Sequence, residues 1–136
     1  MPNKKKKNKG NATRKRGGKS FGQNKKKAIA AKHKERGNTF YGQKKYRNAQ
    51  QEYAEAIKHC LRDHALFSNR SACYIELNQF TAALSDGTRC IQLKPDWAKG
   101  HYRAGLALFK LGRVEEAAGV YEQGMLDESV VPILSP

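Results

Sequence analysis

Five side chains in this 136-residue chain have the types and spacing to grip a carboxylate. Lys34 and Asn38 stand four apart, Lys99 and Arg103 stand four apart, and Asn69 lies between the two pairs. A spacing of four places two side chains on one face of a helix, one turn from each other. A carboxylate withdrawn from water needs charge-assisted donors on each oxygen to replace its hydration. Arg103 offers a planar fork, Lys34 and Lys99 offer point charges, and Asn38 and Asn69 offer amide donors. Two asparagines within helices are hard to explain as solvated surface, because Asn is a poor helix former. Tyr41, Ala65, Ala72, Ile75, Leu106 and Phe109 belong to the same faces. They would supply apolar contacts for the residues preceding a bound peptide end.

A repeat brings these residues together. Shifting the chain by 34 residues superposes Ala49, Ala83 and Ala117; Phe40, Tyr74 and Leu108; Gly37, Ser71 and Gly105; and Ile57, Ile91 and Met125. A period of 34 is that of tetratricopeptide helix–turn–helix units. Counted from Ala30, His64 and Ala98, the repeats span 30–63, 64–97 and 98–131. Each has small residues near positions 8, 20 and 27 and large ones at 11 and 24. Gly87 takes the place of the position-24 aromatic in the second repeat. The pattern predicts six antiparallel helices over 29–42, 45–60, 63–77, 80–92, 96–110 and 113–126. Gly42, Asn78 and Gly112 mark the turns within repeats, and Pro95 marks a break between the second and third. The fold class is therefore all-α, a tetratricopeptide superhelix. In such a solenoid the first helix of each pair lines the concave side, and positions 2, 5, 6 and 9 share a face. The five polar residues fall on these positions.

With those residues in place, the chain resembles the tetratricopeptide co-chaperones of the carboxylate-clamp type, most closely the first such module of the heat-shock organising proteins. The resemblance covers about residues 30–128, through KERGN at 34–38, LFSNRSACY at 66–74 and LKPDWAKGHYR at 93–103. It implies that Lys34, Asn38, Asn69, Lys99 and Arg103 form the clamp. It also implies that the ligand is the Glu-Glu-Val-Asp tail of heat-shock protein 70 or 90. His33 stands where the family usually has a large apolar residue. The family's seventh, capping helix has no counterpart after Glu128. The outer face of the sixth helix is therefore expected to be exposed, covered by Val130, Val131, Ile133 and Leu134 of the tail 129–136, or used as an interface.

Charge separates a second region. The chain carries 27 Lys and Arg against 12 Asp and Glu, a formal charge of +15, yet residues 1–28 hold 12 of the basic side chains and none of the acidic ones. This stretch has almost nothing to bury and reads as a disordered arm before a folded unit at 29–128. It is suited to RNA, DNA or another polyanion, or to nuclear import through Lys4–Lys7, Arg14–Arg16 and Lys25–Lys27. This gives the alternative reading: a nucleic-acid- or ribosome-associated protein whose repeats serve as a general protein-binding scaffold. The sequence assigns no catalytic, cofactor or metal set. Gly17-Gly18-Lys19-Ser20 lacks the earlier glycine of a phosphate loop, and His59, Cys60 and His64 have no fourth ligand spaced for zinc. Three cysteines without C-x-x-C spacing fit a reducing compartment, and no apolar run approaches a membrane span. The expected protein is a non-enzymatic adaptor in the cytoplasm or the nucleus.

Overall fold

The computed structural model describes residues 2–126, with side chains described from residue 22 onward. It contains α1 (Pro2–Gly42), α2 (Tyr46–His59), α3 (His64–Glu76), α4 (Phe80–Leu93), α5 (Ala98–Lys110) and α6 (Val114–Leu126). Each helix packs on the next, and α3 also packs on α5. Sequential pairing with first helices side by side is the signature of a solenoid, where each repeat closes its core only against its neighbours.

The three turns within repeats are built alike. Lys44, Asn78 and Gly112 have φ of 62°, 60° and 82°, and they stand 34 residues apart. In each turn the following amide reaches back five residues: Lys45 N–H donates to the Phe40 carbonyl (2.9 Å), Gln79 to Tyr74 (2.8 Å) and Arg113 to Leu108 (2.9 Å). The amides of Lys44, Asn78 and Gly112 donate three residues back, to Tyr41, Ile75 and Phe109. These paired bonds satisfy carbonyls left open at the helix ends. The first turn corrects the sequence reading, because Gly42 is the last residue of α1 and Lys44 carries the left-handed conformation. A lysine there crowds its Cβ against its own carbonyl, whereas glycine does not. Lys44→Gly should therefore raise unfolding stability by about 1 kcal/mol, read as a melting temperature higher by roughly 4–8 °C. An unchanged or lower midpoint would contradict this account.

Small residues set the interhelical distance. A Cβ on Gly37 would fall 2.6 Å from Cε1 of Tyr53, and one on Gly105 would fall 2.5 Å from Cε1 of Tyr121. The small residue at position 8 and the aromatic at position 24 are thus one contact. The second repeat replaces it. A Cβ on Gly87 would lie 2.6 Å from the backbone nitrogen of Ala104, so α5 occupies the space an aromatic would need. Ser71 then donates its hydroxyl to the Ala83 carbonyl at 2.9 Å.

The core is continuous from Ala49, Tyr53, Ala56 and Ile57 through Leu66, Phe67 and Cys73 to Cys90, with Phe40, Leu93 and Trp97 packed against it. Burial pushes the Cys73 and Cys90 thiols up to about 12, which keeps them protonated packing groups. His33 is not packed as an apolar residue. Its Nδ1 lies 2.7 Å from Oε1 of Glu52, and its ring stacks parallel to that of His59 at 6.4 Å. A polar pair across α1 and α2 thus takes the place of an apolar contact.

The observed helices match the expected spans at their ends to within about two residues, except at the start of α1. Residues 22–28, expected to be disordered, are helical, and 23–28 are exposed. Extending a helix already nucleated by packing at 29–42 is far easier than starting one. Residues 2–21 continue α1 in the backbone, and their side chains lie outside the described residues. The tail 129–136, with the proposed cover by Val130, Val131, Ile133 and Leu134, also lies outside them. Val114, Met125 and Leu126 of α6 are exposed.

Candidate functional site

Parallel first helices α1, α3 and α5 bring residues from all three repeats to one place. A pocket of about 300 Å³ is lined by Asn38, Tyr41, Gly42 and Tyr53, with Asn69 and Ala72 from α3 and Arg103 from α5. Three of the five expected polar residues and two of the six expected groove residues therefore meet. Lys34 lines an adjoining pocket of about 520 Å³ with Lys27, Ala30, Arg62 and Leu66. Both pockets are lined by α1 and α3, the larger by residues between 27 and 34 with Leu66, the smaller by residues between 38 and 42 with Asn69 and Ala72. Lys99 is exposed, and its ammonium lies 5.8 Å from the centroid of the Trp97 ring. Ala65, Ile75 and Leu106 are half-buried, Phe109 is 54% exposed, and none of these four lines either pocket.

The convergent donors are held by neighbours. Tyr53 donates its hydroxyl to Oδ1 of Asn38 at 2.5 Å. With that oxygen occupied, the Asn38 amide nitrogen is the group available to an incoming acceptor. Burial pushes Tyr53 up to about 12, so it stays a donor throughout the neutral range. Arg103 donates Nε to Oγ of Ser68 at 3.1 Å, and its guanidinium lies 5.5 Å from the centroid of the Tyr102 ring. Engagement through Nε leaves the paired η nitrogens as the atoms suited to a two-pronged grip on a carboxylate. Burial and the charge of Glu76 raise Tyr41, while nearby Arg103 pulls it back, which places this phenol within the field of the guanidinium.

Sequence reasoning missed Ser68 and the hydroxyl of Tyr53 as positioning groups. Ser68 sits at position 5 of its repeat, one of the four concave positions, so the register contained the signal. Tyr53 reads as a packing aromatic at position 24 of its repeat, and its spacing does not reveal where its hydroxyl ends. Trp97 under Lys99, and Lys27 and Arg62 beside Lys34, were not anticipated either. Among the described residues, no three His, Cys, Asp or Glu side chains are grouped to hold a metal ion, and no helix is long and apolar enough to cross a membrane.

Comparison with known proteins places this geometry in context. No family model matches the chain. It is 43% identical over 97 residues to the heat shock protein sti1 homolog of Schizosaccharomyces pombe, an alignment covering 71% of this chain and 16% of that protein. The chain spans about a sixth of the length of the curated relatives it matches. Among solved structures, it is similar to the second TPR of Spaghetti (RPAP3) bound to the HSP90 peptide SRMEEVD. The TM-score is 0.74 and the identity 31%, covering 78% of this chain and 97% of that one. It is also similar to the second TPR domain of human RPAP3 in complex with the HSP70 peptide SGPTIEEVD, with a TM-score of 0.71 and 28% identity over 78% of this chain and 86% of that one.

Proposed function

The chain belongs to the tetratricopeptide-repeat family of co-chaperone domains, and on that premise we propose that its concave groove binds the free carboxylate end of an acidic peptide. The observation that carries this reading is the pocket joining Asn38, Asn69 and Arg103 from three separate helices. Tyr53 and Ser68 hold two of these groups before any ligand arrives. Lys34 and Lys99 stand one helical turn before Asn38 and Arg103 on the same helices. A rotamer change moves the Lys99 ammonium off Trp97 and onto the ligand. The peptide is the Glu-Glu-Val-Asp type tail of heat-shock protein 70 or 90. This assignment is supported by the peptides held in the related structures. The domain works as a non-catalytic adaptor in the cytoplasm or the nucleus.

The test is a titration of a labelled Glu-Glu-Val-Asp peptide with a free C-terminus against the same peptide amidated. The free acid should bind, and more weakly as salt is raised, because part of the attraction is screened. The amide should not bind measurably. Equal binding of the two would sink the reading. Positioning by Tyr53 gives a finer prediction. Tyr53→Phe removes one hydrogen bond and releases the Asn38 amide to rotate. Affinity should fall roughly fivefold, about 1 kcal/mol, with little change in melting temperature because Asn38 is exposed. Unchanged affinity would remove Tyr53 from the site.

A further inference from the structure

The pocket joining Asn38, Asn69 and Arg103 makes no use of the chain before Ala30, the first buried residue of α1 among those described, and of that stretch Lys27 alone lines the pocket beside Lys34. That segment holds 12 of the 27 basic side chains, and the first acidic residue in the whole sequence is Glu35. From residue 29 onward the balance is nearly even, 15 basic against 12 acidic. Since α1 runs from Pro2 to Gly42, the uncompensated charge rides on a continuation of the helix that carries Lys34 and Asn38. At 1.5 Å per residue, the part before Ala30 is on the order of 40 Å long.

The pattern of charge narrows the partner. Lys4–Lys7, Arg14–Arg16 and Lys25–Lys27 recur about every ten residues, roughly 15 Å along a helix. Runs of three or four consecutive cations have no single face on a helix, since neighbours leave the axis about 100° apart. A helix lying on a membrane surface needs an apolar face, and residues 1–28 offer only Met1, Ala12, Phe21 and Ala28. A single-strand binder needs aromatic platforms for successive bases, and Phe21 is the one aromatic residue in the segment. What remains is a partner with dense, regular charge and no demand for stacking, which describes the phosphodiester backbone of a nucleic-acid duplex. We infer that the N-terminal continuation of α1 is a duplex-binding element that grips phosphates without reading bases. It acts independently of the groove, so the protein can hold a peptide end and a nucleic acid together.

The experiment uses the full chain and follows the anisotropy of labelled RNA and DNA duplexes, a labelled single strand, and light scattering from phosphatidylserine-containing vesicles. Duplex should be bound more tightly than single strand or vesicles. The affinity should fall about a thousandfold or more between 50 and 200 mM salt if some six or more phosphates are contacted. Tighter binding to either duplex supports the assignment and identifies its source. Changing the seven cations of Lys4–Lys7 and Arg14–Arg16 to Gln should reduce duplex affinity by at least about tenfold at low salt while leaving free-acid peptide binding unchanged. Arg103→Ala should do the reverse, which separates this inference from the peptide reading. A glutamine variant that binds duplex as tightly as the parent, or a parent that prefers vesicles to duplex, would overturn it.

Discussion

Replacing Arg103 by alanine should weaken binding of a free-acid Glu-Glu-Val-Asp peptide by at least about 2 kcal/mol, roughly thirtyfold, in isothermal titration calorimetry. The expectation follows from where the guanidinium sits. It reaches the pocket from α5, the helix farthest along the solenoid among the three that line it, and it is half-buried with Nε fixed on Ser68. A carboxylate in that pocket has given up water, so deleting its fork leaves part of its charge unpaired. Arg103→Lys tests geometry against charge. Lysine keeps the charge but cannot present two parallel donors, so its affinity should fall between the parent and the alanine variant. Stability is a separate matter. Ser68 is fully buried, but its hydroxyl can turn to a carbonyl of the preceding helical turn once Arg103 is gone. The variant should therefore keep its helical circular dichroism, and wild-type affinity in a folded Arg103→Ala protein would remove the guanidinium from the proposed site.

The register that led to Arg103 was legible because a 34-residue period is imposed by packing at every turn of the solenoid. Position 8 must be small where position 24 is aromatic, as Gly37 with Tyr53 and Gly105 with Tyr121 show. Where that pairing lapses, at Ser71 and Gly87, the reason lies in the approach of the α5 backbone, which one repeat read alone cannot reveal. The period also held the correct turn residue. Lys44 is in register with Asn78 and Gly112, but glycine's general preference for turns drew attention to Gly42 two residues earlier. The site was legible in part, for the same reason. Helical spacing assigns a residue to a face, which sufficed to bring Asn38, Asn69 and Arg103 together. It does not say where a long side chain rests. Lys99 lies over Trp97, and the hydroxyls of Tyr53 and Ser68 reach across helix boundaries. Such contacts depend on the depth of interhelical packing, for which a single sequence carries no periodic signal.

The same limit hid the ion pair between α3 and α4, whose removal should have the largest effect on stability. Arg70 donates Nε and Nη2 to the two carboxylate oxygens of Asp86, each at 2.8 Å, and its guanidinium lies 5.7 Å from the ring centroids of both Phe67 and Tyr74. The partners are unequally covered: Asp86 retains 5% side-chain exposure and Arg70 retains 21%. Removing either breaks a buried pair, but the consequences differ. Asp86→Ala leaves a cation that can turn outward along its flexible stem. Arg70→Ala leaves a largely buried carboxylate fixed in α4 on a short side chain with both of its guanidinium donors gone, and should cost about 3–5 kcal/mol in urea unfolding at neutral pH, more than Asp86→Ala. A pH signature separates this from simple loss of packing. Burial already pushes the Asp86 carboxyl above its ordinary value, with Arg70 pulling it back. Without Arg70 the upward push is unopposed, so the folded state binds a proton more readily than the unfolded chain. Stability of the Arg70→Ala protein should then rise as pH falls from neutrality through the raised folded value toward the ordinary carboxylate range, and level off below it. The parent should change less over the same interval. An Arg70→Ala protein whose unfolding midpoint, relative to the parent, does not recover on acidification would show that the carboxylate finds another partner, and that the pair does not hold α3 to α4.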